Sequence, residues 1–466
     1  MRRVVLRLLR ALVRLFYRRI ETSSLAGVPG EGPVLLIANH PNGLVDPMLV
    51  LAVLPRPVVF VAKSTLWKIP VLGRLLDLLG CVPVIRKKEA AGEISSKGEE
   101  RNRASFERLA GELTRGGCVL IFPEGRSHSD PHLSELHTGA ARILLLLKSS
   151  PIVVPVGFWF TKKEEFRSDV LLRFGAPVEP PAVPGVESWT EAMGKALEAV
   201  TLNANDWKDH ELAAAVDALY GAKIGKEFLE GEEDDARLGT SLRVRQRLLS
   251  ARASLVESHP DDVSAVSRRA LALDRLLKKI SLSPSALDDP PPIRTILWYT
   301  LKALAVILLG FPVAVLGVAA WWVPYRLTGV VADRLPGAAT ERDQIALYKL
   351  VAGVVLFPLA LAVWTAVAWS IGGASWGALV LASLPFAGIS SLFFFEYAAW
   401  RERQARELLA ILVKPGGLAR LRAERDALVA ECDRLAEIYA AATSGSPSGS
   451  GPGERTPARG DILPAP

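Results

Sequence analysis

The sequence predicts an α/β domain around a central, mostly parallel sheet, followed by a helical segment and C-terminal transmembrane helices. Two patterns carry that expectation. Between residues 33 and 178, apolar runs of strand length alternate with helical stretches, as in a buried parallel sheet flanked by helices. Beyond residue 300 lie three long apolar stretches, 303–323, 349–370 and 376–396. Each is about long enough to cross a bilayer, with charge only at the outermost positions Lys349 and Glu396. Composition agrees: half of the 466 residues are hydrophobic, and a mean hydropathy of +0.25 is high for a soluble enzyme. This length leaves room for about two or three domains.

Taken in order, the chain opens with MRRVVLRLLRALVRLFYRRIE. Its basic start resembles a signal peptide, but Arg7, Arg10 and Arg14 interrupt the apolar run and no small-residue cleavage site follows. Val5, Leu8, Leu9, Leu12, Leu15 and Phe16 recur at helical spacing, with arginines on the other side. Residues 1–22 therefore read as a basic amphipathic helix lying in a membrane interface. The alternative is a helix packed on its own domain.

The segments PVLLIA (33–38), PVVFVAK (57–63), CVPVIR (81–86), CVLIFP (118–123), IVVPVGF (152–158) and VLLRFG (170–175) read as strands. Helices are expected near 47–54, 70–79, 99–115 and 134–148. GAPVEPPAVPG (175–185) closes this domain, placed at 25–180. A charged helical segment fills 187–282, and SPSALDDPPPIR (283–294) is a second linker. The membrane module occupies 295–398. Arg326, Arg334 and Arg342 lie after its first stretch, and Arg401, Arg403 and Arg406 after its third. The positive-inside tendency keeps both places cytoplasmic. On that basis 349–370 and 376–396 form a transmembrane hairpin, and 303–323, broken at Gly310-Phe311-Pro312, is re-entrant. A helical hairpin with a break at Pro415-Gly416-Gly417 is expected over 401–440, either folded back or paired with a partner. The tail, 443–466, has the composition of disorder.

The formal charge of +7 and pI of about 9.3, on a chain this apolar, favour anionic lipid headgroups over nucleic acid. No nucleic-acid-binding motif is visible. Cys81, Cys118 and Cys432 are scattered, which suggests neither a disulfide framework nor a metal knuckle and fits a reducing compartment.

Two constellations carry chemistry. In IANHPNGLVDPMLV (37–50) a buried strand ends at Asn39-His40. A turn follows, then Asp46-Pro47, a good helix start with Asp at the N-cap. His40 thus sits at the C-terminal end of a strand, the edge where open α/β sheets bind ligands. A carboxylate on one imidazole nitrogen fixes its tautomer, freeing the other to take a proton from a hydroxyl. Alone, His-x5-Asp is a weak pattern. In IFPEGRSHSD (121–130) another apolar strand runs into a turn. Gly125 permits close backbone approach and Arg126 offers a planar fork suited to phosphate. Lys63 and Arg86 also end strands, so in a parallel sheet these groups share one edge.

The ordered blocks NHPNGLVD, GCVPVIR, FPEGRSHSD and VVPVGF resemble those of the glycerophospholipid acyltransferases over roughly 25–180. The resemblance implies an α/β acyltransferase domain and O-acyl transfer to glycerol 3-phosphate in phospholipid biosynthesis. The donor would be acyl-CoA or acyl carrier protein, with no metal and no bound cofactor. His40 is implied as general base and Asp46 as the group orienting it. Arg86 is implied at the acceptor phosphate, with Lys63 a second candidate there. Glu124, Gly125 and Arg126 match the acceptor-binding segment, and Pro155 the fourth block. Two departures stand out. Five residues separate His40 from Asp46 where the common pattern has four, and Arg126 follows Gly125 directly. The longer spacing resembles the glycerol-3-phosphate and dihydroxyacetone-phosphate branch; His128 is the alternative phosphate neighbour.

Lysophosphatidate and dihydroxyacetone phosphate remain alternative acceptors. A further alternative is an inactive acyltransferase-like membrane scaffold. A multi-pass protein of the cell membrane with its catalytic domain facing the cytoplasm is expected.

Overall fold

A computed structural model describes residues 2–68, 70–85, 96–220, 237–280, 282–287, 293–334, 345–413 and 415–444. Arg86, Arg342 and the tail beyond residue 444 lie outside the described residues.

The chain opens with α1 (Arg2–Phe16) and β1 (Arg19–Ser23), then β2 (Val34–Ala38), α2 (Val45–Val53), β3 (Val58–Lys63), α3 (Pro70–Leu79) and β4 (Val82–Val84). There follow α4 (Ser96–Thr114), β5 (Cys118–Ile121), α5 (Gly139–Leu145), β6 (Ile152–Phe160) and β7 (Asp169–Phe174). The seven strands form one sheet in the order β1-β7-β6-β2-β5-β3-β4. Every pairing is parallel except β6 with β7. All five residues of β2 are buried, which explains its unbroken apolar run. Successive side chains of a strand point to opposite faces. Val34, Leu36 and Ala38 accordingly pack with α1, α2 and α3, while Leu35 and Ile37 pack with α4, α5 and α6 (Val186–Val200).

Two features of this domain escape the sequence. β1, RIETS, is an edge strand of mixed polarity that pairs with β7 from Arg19 to Ser23, so the domain starts before residue 25. The expected 1–22 helix therefore ends at Phe16. Its inner face, Leu9, Val13 and Phe16, is buried in the domain core, while Val4, Leu8 and Leu15 are exposed. Nor do all its arginines face outward. The Arg10 guanidinium donates to Leu51 O and Leu54 O, each at 3.2 Å, capping the carbonyl end of α2.

In β6, Gly157 lies against the end of α6: a Cβ there would stand 2.0 Å from Val200 O. Because a backbone atom blocks it, Gly157→Ala should cost about 3 kcal/mol, read as a lowered thermal midpoint.

After α6 come α7 (Trp207–Tyr220), α8 (Arg237–Ser258) and α9 (Pro260–Lys279), and then α10 (Ile293–Arg334), α11 (Ile345–Val413) and α12 (Pro415–Ser444). The last helix returns to the segment before the membrane module. Leu418, Leu428 and Leu435 share a core with Leu212, Leu255, Val266 and Leu273. Arg269 bridges Glu424 (3.0 Å) and Glu431 (2.6 Å), and Arg434 meets Asp262 at 3.0 Å. Fold-back was one of the two expectations for this region.

Helices α10 and α11 hold two spans, Leu301–Arg334 and Ile345–Glu402, long and apolar enough to cross a membrane by length and composition. Their apolar side chains face outward: Leu308, Leu309 and Ile371 are each more than 70% exposed (72%, 78% and 78%). Within α11 the chain reverses at Gly373, whose φ is 72°. The reversal follows from Trp321, which stacks on Phe357 and donates to Leu384 O at 2.9 Å. In a straight helix those two positions would stand about 40 Å apart. The break expected at Gly310-Phe311-Pro312 does not occur. Pro312 and Pro324 both sit inside α10, which is unbroken. Proline deprives a helix of one bond, and packing against α11 offsets the loss: Gly317 fits where a Cβ would meet Ala387 O at 2.4 Å.

Candidate active site

The C-terminal ends of β2, β5 and β3 lie side by side, because these strands are parallel neighbours. The apolar run of β2 stops at Asn39, whose side chain reaches across to β6. Its Oδ1 accepts from Phe158 N (2.7 Å) and its Nδ2 donates to Phe158 O (3.2 Å). That clasp fixes the exit direction of the next residue, His40.

His40 is 8% exposed, and its ring stacks on Phe122 with centroids 3.9 Å apart. Its Nδ1 lies 2.9 Å from Asp46 Oδ2. Asp46 is fully buried, and the same oxygen accepts from Asn42 N at 2.8 Å. An ionised carboxylate accepts only, so Nδ1 carries the hydrogen and Nε2 presents its lone pair. Among the described residues Nε2 meets no hydrogen-bond partner. Asp46 is not the N-cap expected from Asp46-Pro47. The helix starts at Val45, and the carboxylate turns back over the preceding loop instead.

Burial raises the Asp46 carboxyl above its ordinary value; His40, the Asn42 amide and the Lys163 charge oppose this. Asn42 is fully buried, and its Nδ2 donates to Tyr17 Oη at 2.9 Å. Burial, then the Asp46 charge, push the Tyr17 phenol well above its usual value, so it stays a neutral hydroxyl.

Glu124 follows β5 and is 1% exposed. Its Oε1 accepts from His40 N at 2.8 Å, and its Oε2 from Ser134 N at 2.8 Å and from His128 Nε2. Both oxygens are thus engaged by the protein, and the carboxylate locks the His40 turn onto the 124–134 loop. His128 N donates to His40 O at 3.1 Å, a second tie between the same two loops. Exchanging Glu124 for Gln puts an amide NH2 against one of these N–H donors. A tenfold or greater loss of turnover is expected, with about 1–3 kcal/mol of stability lost, measured by thiol release and thermal midpoint.

Gly125 has φ 68°, and a Cβ on it would stand 2.4 Å from His137 Cδ2. The position needs glycine for conformation and for space. Arg126 is exposed at the rim, with Nη2 3.1 Å from Asp130 Oδ2 and 3.2 Å from Ser134 Oγ. Lys63, half-buried at the end of β3, is two strands from β2, about 10 Å across the sheet. Arg86 lies outside the described residues. His40, Asp46 and Glu124 are therefore in contact, Gly125 and Arg126 adjoin them, and Lys63 stands apart on the same edge.

The residues missed from the sequence are Asn42, Tyr17 and Lys163. Lys163 Nζ donates to Pro41 O at 2.8 Å and Ser129 Oγ at 2.6 Å. Only Asn42, inside the turn, carried a signal; the other two reach the site through the fold. The thiols play no part in this edge. Cys81, just before β4, and Cys118, in β5, are buried, and burial pushes Cys118 up to about 11. Among the described residues no group of His, Cys, Asp and Glu could hold a metal.

A parallel α/β edge that presents a buried His–Asp pair has the geometry that general-base chemistry on a hydroxyl requires. Comparison with known proteins places it further. Residues 19–159 match the family model for acyltransferases. An uncharacterized acyltransferase of Schizosaccharomyces pombe is 24% identical over 312 residues, 46% of each chain. Glycerol-3-phosphate O-acyltransferase 2 of Saccharomyces cerevisiae is 31% identical over 134 residues, 26% of this chain and 18% of its own. The chloroplastic 1-acyl-sn-glycerol-3-phosphate acyltransferase of Arabidopsis thaliana is 25% identical over 149 residues, 32% and 38% respectively. The chain spans less than half the length of each of these relatives. Residues 19–159 thus carry an acyltransferase domain, similar over that stretch to glycerol-3-phosphate and 1-acylglycerol-3-phosphate acyltransferases.

Proposed function

We propose that the protein moves a fatty acyl group from a thioester, acyl-CoA or acyl carrier protein, to a hydroxyl of glycerol 3-phosphate. The observation that carries this reading is the His40–Asp46 pair at the ligand-binding edge of the sheet. His40 Nε2 takes the proton of the acceptor hydroxyl, and that oxygen attacks the thioester carbonyl. Asp46 holds the proton on Nδ1 and stabilises the imidazolium that forms. As the tetrahedral intermediate collapses the C–S bond breaks, and His40 returns its proton to the leaving sulfur. No enzyme nucleophile is needed, consistent with buried, protonated thiols.

Acceptor phosphate is bound by cations of the same edge, with Arg86, Lys63 and Arg126 the candidates. Glu124 and Gly125 shape the floor beneath it. The long apolar helices hold this edge at a bilayer, with the catalytic domain on the cytoplasmic side. The Arabidopsis relative is named for 1-acyl-sn-glycerol 3-phosphate, which favours lysophosphatidate as a second acceptor reading.

The test is thiol release from acyl-CoA by membranes containing the full chain. Glycerol 3-phosphate and lysophosphatidate are supplied separately, with His40→Ala as control. His40-dependent release with glycerol 3-phosphate supports the first reading, and with lysophosphatidate alone the second. Release from neither acyl-CoA nor acyl carrier protein, with either acceptor, overturns both and leaves the scaffold.

A further inference from the structure

The loop between β6 and β7, residues 161–168, joins parts of the molecule that lie far apart in sequence. At one end Lys163 Nζ holds Pro41 O, beside His40, and Ser129 Oγ. Lys163 O accepts from Asn42 Nδ2 at 3.3 Å, and Asn42 N in turn holds Asp46. The next residues turn toward the membrane helices. Glu164 O accepts from Lys349 Nζ at 2.7 Å, near the start of α11. The Phe166 ring lies between Phe16 and Tyr325 of α10, with centroids 5.7 and 6.2 Å away.

Arg167 ends the loop at φ 65°, a left-handed conformation that a non-glycine residue adopts only when its surroundings hold it there. What holds it is visible. Its N donates to Phe16 O at 2.6 Å. Its guanidinium takes Glu396 of α11 in a bidentate pair, Nη2 to Oε2 at 2.9 Å with Nε on Oε1, and lies 5.3 Å from the Phe393 ring centroid. Side-chain exposure is only 13% for Arg167 and 27% for Glu396, so solvent does little to screen the pair. Three of the four residues after Lys163 (Glu164, Phe166 and Arg167) thus carry contacts to the two apolar helices, while Lys163 itself carries the catalytic turn.

We propose that Lys163 and Arg167 are positioning residues, and that docking of the membrane helix through Glu396 seats the turn carrying His40 for acyl transfer. This rests on the acyltransferase reading above. Neither residue touches the reacting atoms. The pair sits on one side of a short loop and the catalytic turn on the other, so a shift at Glu396 has only this loop to cross. Activity of the domain then depends on its own membrane segment being folded against it, beyond mere tethering to a bilayer.

The experiment is a double-mutant cycle on the full chain in proteoliposomes, with Glu396→Gln, Lys163→Met and both together. Each single change is expected to lower kcat about tenfold, with KM for the acceptor unchanged. The double variant is expected to fall no further than Lys163→Met alone, because both changes break one connection. Additive losses of about a hundredfold, or unaltered kcat in Glu396→Gln, overturn the proposal. A staple that only stabilised the fold would lower yield and thermal midpoint without this non-additivity. Should Glu396→Gln fail to fold, the swapped pair Arg167→Glu with Glu396→Arg carries the test: restored kcat supports the connection, and normal yield without turnover overturns it. His40→Ala separates the two layers of argument. If that variant keeps turnover, the site assignment itself fails; if it is inactive while the cycle is additive, only the loop's role is lost.

Discussion

Replacing His40 with alanine is expected to lower thiol release by about 10³-fold while leaving yield and membrane insertion intact. The size of the loss follows from the position of the ring. It is held on one face by Phe122 at 3.9 Å, on Nδ1 by Asp46, and through its own backbone N–H by Glu124. No other titratable group in the described edge offers a free lone pair at the same place. His128 is engaged by Glu124, and Tyr17 is a buried neutral hydroxyl bonded to Asn42. The fold should survive because the truncated side chain leaves β2, whose five core residues are untouched, and the Asn39 clasp in place. Turnover within tenfold of the parent would remove His40 from the mechanism.

Asp46→Asn should separate activity from stability. Both donors that reach the carboxylate, His40 Nδ1 and Asn42 N, meet Oδ2, so an asparagine oxygen can accept both. The tautomer survives and the charge does not. Transfer should fall by about 10²-fold or more, because the imidazolium formed when Nε2 takes a proton loses its counter-charge. Stability moves differently. Burial raises the folded-state carboxyl above its unfolded value. The stabilising contribution of such a group is full below the unfolded value, near pH 4, and is lost as pH rises through the folded one. At neutral pH the ionised Asp46 therefore weighs against the fold. The variant should gain in thermal midpoint relative to the parent between pH 4 and pH 7. A parent that instead gains on the variant over that range would reverse the assigned direction.

Much of this site was legible before any coordinates. Strand ends in a parallel sheet must share an edge, so four apolar runs that stop at polar groups were enough to bring His40, Glu124 and Lys63 to one side. The apolar runs themselves located six of the seven strands within a few residues. β1 stayed hidden because RIETS has neither alternation nor an apolar run; its place is set by pairing with β7. The antiparallel turn between β6 and β7 was equally silent, and it brings Lys163 to the catalytic turn. Tyr17 was read as part of an amphipathic helix, and only the packing of α1 on α2 turns it toward Asn42. In the membrane module, glycine and proline at 310–312 gave the wrong breakpoint. A local breaker costs a helix little when a neighbouring helix packs against it. The reversal at Gly373 lies inside 371–375, the gap between the two stretches expected to form the hairpin, and glycine meets the positive φ there without cost.

The return of α12 to α7, α8 and α9 fixes an order of events during synthesis. The ribosome completes α9, then makes all of α10 and α11, and only afterwards releases the helix that covers Leu212, Val266 and Leu273. At about 5–20 residues per second, that interval is on the order of ten seconds. Throughout it the three earlier helices present an open apolar seam while the two long apolar helices emerge. Packing of α10 on α11 brings the closing helix back to the seam; if those two helices fail to fold, the seam stays uncovered. The bundle thus reports on the fate of the hydrophobic segment threaded through its middle, and a stranded chain carries a ready mark for chaperones and proteases.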